Sequence, residues 1–329
     1  MKHKDAPAGR WISYRPEIKT LDCTIRDGGL MNNHQFDDKV VKAVYQTCVA
    51  AGIDYMELGY KASRKGIKAG EHGCWRYCVE DDLRRIVGEN KTDVKLTVMA
   101  DAEKCDYHED IPPKKESVID MIRVAAYINQ IPTALDMIKD AHDKGYETTA
   151  NLMAVTTVGD RELDEGLELL AKSEAKAIYV VDSFGALYSE KVHYLVEKYL
   201  GFCKSAGKEV GVHMHNNLQL AFANTIEGII MGANYVDATM AGLGRGAGNC
   251  PMELLIGFLH NPKFNLRPIL ELVQNTIEPM RSKLLWGYDL PYLLTGVLNQ
   301  HPRTAIKFKE ASLNGKIGDI LEFYDMVTE

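Results

Sequence analysis

His213 and His215 stand two residues apart in Val-His-Met-His-Asn-Asn. On a β-strand, alternate residues share a face with Cα atoms roughly 6.6 Å apart, so the two imidazoles can converge on one divalent ion. Taken alone, such a pair reads more simply as two hydrogen-bonded histidines at the rim of a core. Far away in sequence, Arg26-Asp27-Gly28-Gly29 offers a carboxylate and a permanent cation. Asp27 plus two neutral imidazoles would leave a divalent ion with a net charge of about +1 and open positions for water or a chelating substrate. An Arg-Asp neighbour pair is also a common structural ion pair. Burying one costs desolvation, however, and the paired glycines are expected to turn the backbone sharply and bring both side chains to one end of the fold. Asp182-Ser183 and the run from Gly242 to Asn249, with Arg245, Gly246 and Gly248, are further candidates. That run is either a tight turn or a loop whose NH groups hold an anion. Its spacing and late position differ from the dinucleotide-binding fingerprint. The segment Glu71 to Arg76 fits a pocket wall and an exposed loop equally well.

These residues need a frame. Eight strand-like runs recur: 21–25, 55–58, 94–99, 121–126, 147–153, 177–181, 209–214 and 235–240. Amphipathic segments alternate with them, including 37–51, 134–144, 161–173, 190–205 and 218–231, with apolar residues at three- and four-residue intervals. Several close on glycine (Gly52, Gly145, Gly207, Gly232), as a helix C-terminus favours. The repeating strand-then-helix unit predicts an α/β fold, a closed parallel (β/α)8 TIM barrel over residues 1–262, with an open doubly wound sheet as the rival. In such barrels chemistry gathers at the C-terminal ends of the strands, where Arg26-Asp27, Asp182-Ser183, His213-His215 and the Gly242–Asn249 run all fall. Beyond residue 262 the rhythm stops, and 263–329 reads as a helical C-terminal extension punctuated by Pro268, Pro279, Pro291 and Pro302.

With 329 residues, 46% of them hydrophobic, the chain can bury a large core without covalent staples. A net charge of −7 with scattered basic residues gives no reason to expect a nucleic-acid partner. The first residues lack the apolar stretch of a secretory signal, and no segment approaches the roughly 18 consecutive apolar residues of a membrane span, so a cytoplasmic location is expected. Seven cysteines, an odd number, fit reduced thiols there. Cys74 and Cys78 suggest zinc only weakly, because no second pair follows at finger spacing.

In combination, Asp22-Cys-Thr-Ile-Arg26-Asp27-Gly28, His213-Met-His215-Asn-Asn and Gly-Leu-Gly-Arg-Gly-Ala-Gly-Asn249 resemble the DRE-TIM metallolyase superfamily, which includes HMG-CoA lyase and isopropylmalate synthase. Within it the resemblance is strongest to 4-hydroxy-2-oxovalerate aldolase, through Arg123-Val-Ala, Asp182-Ser183 and Asn217-Leu-Gln-Leu220. The resemblance implies that Asp27, His213 and His215 ligate one divalent ion (Mn2+, Mg2+, Co2+ or Zn2+), that Asn249 ligates or supports it, and that Arg26 stabilises a pyruvate enolate. Arg123, Asp182, Ser183 and Gly246 are expected to bind substrate. Where the aldolase carries a histidine two positions after its Arg-Asp-Gly, this chain has Leu30. His34, which aligns with a second family histidine, and Tyr288 and Tyr292, which resemble a C-terminal tyrosine motif, are the remaining candidates for proton transfer, together with a metal-bound water.

The expected function is that of a metal-dependent aldolase joining or separating a 2-oxo acid and an aldehyde. One alternative is a Claisen-type synthase using an acyl-CoA, and another is a metal-binding scaffold subunit without turnover. Retention of Arg26 argues against the scaffold, which needs no enolate stabiliser. The tail is unlike the region through which the aldolase docks an aldehyde dehydrogenase, which argues against that partner. Its Leu, Tyr and Trp content suits a homodimer interface.

Overall fold

The computed structural model describes residues 15–65, 67–68, 70–313 and 319–329. The N-terminal residues on which the absence of a signal was judged lie outside them. Eight strands close a parallel barrel in sequential order: β1 Lys19–Asp22, β2 Tyr55–Tyr60, β3 Lys95–Asp101, β4 Met121–Ala126, β5 Glu147–Leu152, β6 Ala177–Asp182, β7 Glu209–Met214 and β8 Tyr235–Ala238. β8 returns to pair in parallel with β1, so no edge remains and the open-sheet rival is excluded.

Each strand is covered on both faces. Outward-facing Ile122, Val124, Ile178, Val180, Val210 and Val212 join the layer between sheet and helices, while Leu21, Tyr55, Met121, Tyr179 and Tyr235 fill the lower interior. The rings of Tyr55 and Tyr179 lie 5.8 and 6.2 Å from that of Tyr235, so aromatic packing makes a solid floor. Gly211 on β7 is required by this floor, since a Cβ there would lie 2.6 Å from the Tyr179 ring. The imidazole of His213, two residues on, therefore stands one layer above packed aromatics.

The helices at 38–51, 131–143, 160–171, 189–205 and 221–231 match the amphipathic segments to within a few residues. Gly52 and Gly232 end two of them in the left-handed conformation, at φ 75° and 118°. The link from β3 to β4 differs: it holds one α-helical turn at Tyr107–Asp110 and a 3-10 turn at Lys114–Glu116, separated by Pro112-Pro113, which removes two amide donors and stops propagation. In the extension Pro268 and Pro291 lie in first helical turns rather than between helices, and Pro279 falls near the end of 266–280, which runs on through a π-turn at 273–277. Ile269, Leu272, Ile277 and Trp286 join the barrel's core. The last helices, with Tyr292, Ala305, Phe323 and Val327, form a separate cluster on Ala247 of the loop after β8. Among the described residues no helix is long and apolar enough to cross a membrane.

Candidate active site

The first strand is shorter than its apolar run suggested. It stops at Asp22, and Thr24–Gly28 coil into one helical turn that carries Arg26 and Asp27 over the barrel mouth. The Asp22 carboxyl accepts the Thr24 N–H and hydroxyl, which turns the chain out of the strand. Gly28 and Gly29 have ordinary helical angles, with φ −58° and −59°, so they are not there for a sharp turn. They are there for space. A Cβ on Gly28 would meet Leu243 at 2.9 Å, and one on Gly29 would lie 2.3 Å from Nδ1 of His34.

Asp27 is fully buried and addressed from every side. Its Oδ1 accepts the Arg245 backbone N–H at 2.8 Å, and its Oδ2 accepts Nη1 of Arg26 at 2.7 Å. The same Oδ2 lies 3.3 Å from Nε2 of His213 and 3.7 Å from Nε2 of His215. The ligand atoms of these three residues all fall within 4.8 Å of one another. Nδ1 of His213 contacts Asp237 Oδ2 at 2.9 Å, as in a carboxylate-oriented metal-binding histidine. With that nitrogen donating, the Nε2 lone pair faces the Asp27 carboxylate, an arrangement that a proton or a cation between them relieves.

Charge counting points the same way. The ion-paired network holds the carboxylates Asp27, Glu57 and Asp237 against the guanidiniums Arg26 and Arg123, all buried. Glu57 Oε2 accepts from Arg26 Nε at 2.7 Å and Arg123 Nη1 at 3.0 Å, and Arg123 Nη2 reaches Asp237 at 2.6 Å. One negative charge is left over, beside two imidazoles. Asn249 adds its side-chain nitrogen 3.2 Å from His213 Nε2, and its Oδ1 is buried without a hydrogen-bond partner. A hard or borderline divalent cation fits this donor set.

The pKa shifts follow from the packing. Burial pushes the Asp27 carboxyl upward, but Arg26 and the two imidazoles together hold it well below the usual carboxylate range. Burial first, then Arg245, His213 and Arg26, drive His215 well below an ordinary imidazole against the pull of Asp27, whereas Asp237 and Asp27 outweigh burial and raise His213. His34 is held at about 3 by burial and by the nearby Arg76, His72 and Arg26. It is neutral across the ordinary working range.

Above this centre opens a cavity of about 340 Å3, lined by Arg26, Asp27, Leu30, His34, Ser183, His213 and His215 among others. Other expected site residues stand back from it. Arg123 lies beneath, packed on Tyr179 and clamping Glu57 and Asp237. Asp182 is buried and accepts the amides of Ala186 and Leu187, shaping the loop that presents Ser183. Gly246, at φ 61°, packs against the Tyr292 ring. Tyr292 is buried in the extension's own cluster and Tyr288 is 62% exposed, and neither lines the cavity. Glu57 and Asp237 escaped sequence reading, although each is a lone acid in an otherwise apolar strand. His72 and Arg76 put the 71–76 loop on the cavity wall, anchored by Trp75, whose Nε1 donates to the Phe36 carbonyl. Cys74 and Cys78 are free thiols, like the other five cysteines.

A parallel barrel whose mouth gathers two histidines, an aspartate and an arginine defines a TIM barrel with a candidate metal site. The chain belongs to the HMGL-like family, which it matches over residues 17–276. It is 30% identical to the 4-hydroxy-2-oxovalerate aldolase of Bacillus cereus over 84% of this chain and 82% of that one. It is also 30% identical to the oxaloacetate decarboxylase of Mycobacterium tuberculosis over 73% of this chain and 69% of that protein. Among solved structures, the N-terminal domain of a Bacteroides vulgatus protein described as a candidate aldolase superposes with a TM-score of 0.75 at 29% identity, covering 90% of this chain and 98% of that one. The carboxyl transferase domain of Rhizobium etli pyruvate carboxylase shares the fold, with a TM-score of 0.67 at 17% identity over 91% of this chain and 53% of that one.

Proposed function

We propose that this chain is a divalent-metal-dependent carbon–carbon lyase that cleaves or forms a 4-hydroxy-2-oxo acid through the enolate of pyruvate. The observation that carries this reading is the convergence of Asp27, His213 and His215 within 4.8 Å, beside the Arg26 guanidinium. These three residues would hold the ion (Mn2+, Mg2+, Co2+ or Zn2+), with Asn249 in support. Bound there, a divalent cation supplies a Lewis acid and a template for a chelating 2-oxo acid.

The protein's own residues do the rest. Arg26 is fixed through Nε and Nη1, and its Nη2 has no hydrogen bond among the described residues, on a side chain that lines the cavity. Its acidic partners outweigh burial and keep it charged, so a donor stands ready where negative charge develops on the enolate oxygen. Ser183 Oγ accepts the Ala154 N–H at 2.8 Å, which leaves its own O–H to donate to a substrate carboxylate. Arg123, Asp182 and Gly246 act through their neighbours, holding Glu57, the Ser183 loop and the turn after β8. Of the residues considered for proton transfer, His34 is the one in the cavity wall. Its neutral ring can accept the 4-hydroxyl proton, although a group held at about 3 is a weak base.

That weakness, with Leu30 in place of the aldolase's histidine, favours a second reading: decarboxylation of a 3-carboxy-2-oxo acid such as oxaloacetate. Loss of CO2 reaches the same enolate with no hydroxyl to deprotonate. A Claisen-type synthase would share the site as well, and a scaffold subunit would have no use for Arg26.

One assay separates these readings. Protein with Mn2+ is supplied with 4-hydroxy-2-oxo acids, oxaloacetate, or acetyl-CoA plus a 2-oxo acid, while pyruvate and free CoA are followed, with Arg26→Ala as control. Pyruvate from the hydroxy acids supports the aldolase, pyruvate from oxaloacetate alone the decarboxylase, and free CoA the synthase. Silence with metal bound leaves the scaffold. Seven free cysteines support a reducing, cytoplasmic setting, and Leu321, Tyr324 and Met326, exposed on the last helix, support pairing of the extension in a homodimer.

A further inference from the structure

The outer wall of the cavity carries more positive charge than the chemistry at its base uses. Two of its cations are neutralised locally, Arg26 by Asp27 at 2.7 Å and Lys104 by Asp101 at 3.0 Å. Arg76, Arg245 and Arg303 line the same cavity and have no ion-pair partner among the described residues. Nε of Arg76 and Nε of Arg245 are buried without hydrogen bonds, and so is the Asn151 side-chain nitrogen, on a residue only 2% exposed. Buried donors left open in a polar cavity are sites for acceptors that the protein does not supply. The cations also cluster. His301 is flanked by Arg245, Arg303 and Lys104, which together with burial hold its imidazole at about 4.

Arg76 and Arg26 both lie over the Tyr60 ring, whose centroid is 4.8 Å from the Arg76 guanidinium and 6.0 Å from that of Arg26. A second cavity of about 570 Å3 opens beyond, and Arg76 and Lys104 line both. An anion at that junction would stand away from the metal-ligand cluster, at the far end of a substrate whose 2-oxo acid end lies over Asp27 and Arg26. We propose that the aldehyde-derived half of the substrate carries a second anionic group, a carboxylate or a phosphate, received by Arg76 from the loop after β2 and Arg303 from the C-terminal extension. The proposal rests on the aldolase reading for which end of the substrate is meant, and the cationic site itself stands independently of it.

The test has two readouts. In the aldol direction, Mn2+-loaded protein is given pyruvate with acetaldehyde, with succinic semialdehyde, or with glyceraldehyde 3-phosphate. One charged aldehyde is expected to exceed acetaldehyde in kcat/KM by at least about ten-fold, the scale of one charge-assisted hydrogen bond. Which one it is decides between carboxylate and phosphate. Arg76→Gln and Arg303→Gln are expected to raise KM for that aldehyde at least about ten-fold more than for acetaldehyde, with kcat less affected, and Arg76→Lys to recover part of the loss. Equal use of charged and neutral aldehydes, with no selective effect of either variant, overturns the proposal.

If no aldehyde reacts, the aldolase reading fails while the anion site remains testable by melting temperature. Inorganic phosphate or succinate is added to metal-free protein at constant ionic strength. A rise in melting temperature that Arg76→Gln and Arg303→Gln diminish upholds the site. No rise, or an equal rise in the variants, removes it.

Discussion

The floor and the wall of the cavity treat charge in opposite ways. At the floor, Arg26, Arg123, Asp27, Glu57, Asp237 and His213 are buried and each charged group touches an opposite one at 3.3 Å or less. At the wall, the guanidiniums of Arg76, Arg245 and Arg303 form no salt bridge among the described residues, although all three residues line the same space. Buried charges that contact opposite ones are costly to disturb and hold geometry, as a reaction centre needs. Unpaired cations at a cavity wall are positioned to meet a ligand's charge and therefore select among ligands. The paired charges sit on strands and on the helical turn after β1, the unpaired ones on two loops and an appended helix.

Thorough chelation should strike the floor hardest and abolish pyruvate release, with activity restored on adding back Mn2+. His213→Ala should likewise remove tight metal binding, measured by calorimetry. Activity that persists in both experiments would sink the metal reading. Glu57→Ala leaves Arg26 and Arg123 short of a shared acceptor and should destabilise the fold by about 3–5 kcal/mol, read from denaturant melts. A change below about 1 kcal/mol would show that the network is not the structural unit described here. Arg26→Ala should lower kcat by roughly 10²–10³ with metal still bound, the range for losing a preorganised donor to an oxyanion. An unchanged kcat would move enolate stabilisation elsewhere.

His34 sharpens the contrast through pH. Its folded pKa of about 3 lies below the ordinary 6.5, so the folded state favours the neutral ring. The stability this provides is complete above pH 6.5 and is lost progressively as pH falls toward 3. At pH 5 the penalty is about 2 kcal/mol, from roughly 1.4 kcal/mol per pH unit. Asp22 and Asp182, raised to about 7 chiefly by burial, act in the opposite sense, costing stability as pH climbs from 4 to 7. The comparison of wild type with His34→Asn isolates the histidine, since asparagine tolerates the left-handed φ of 59° found there. Melts at pH 5 and 7.5 should show the variant losing less on acidification, and identical losses would contradict the burial account. Smallest of all, Tyr288→Ala should change stability by no more than about 0.5 kcal/mol and leave turnover intact, because that ring is 62% exposed and outside the cavity.

Composition and periodicity specified the barrel well, because covered parallel strands read as apolar runs and each helix repeats its apolar face every three or four residues. The candidate metal ligands were singled out from the sequence as well, since His213 and His215 share a strand-end face and Asp27 lies in a charged, glycine-flanked segment, and their ligand atoms lie within 4.8 Å of one another. What escaped depends on neighbours distant in the chain. Nothing local says that Arg26 and Asp27 ride a helical turn, or that Gly28 and Gly29 serve Leu243 and His34 rather than a bend. Glu57 and Asp237 look like isolated acids until the barrel sets them against Arg26, Arg123 and His213.

Tyr292 and Arg303 show the same division in the extension. Both belong to helices that the prolines punctuate, yet only packing sends one ring into a hydrophobic cluster and the other residue's guanidinium to the cavity wall. Sequence alone therefore determined the barrel and the kinds of group at its mouth, since backbone periodicity and ligand chemistry are local properties. Which charges end up paired, and which remain open to a ligand, was decided by tertiary structure, because pairing depends on distances between residues as far apart as Arg123 and Asp237.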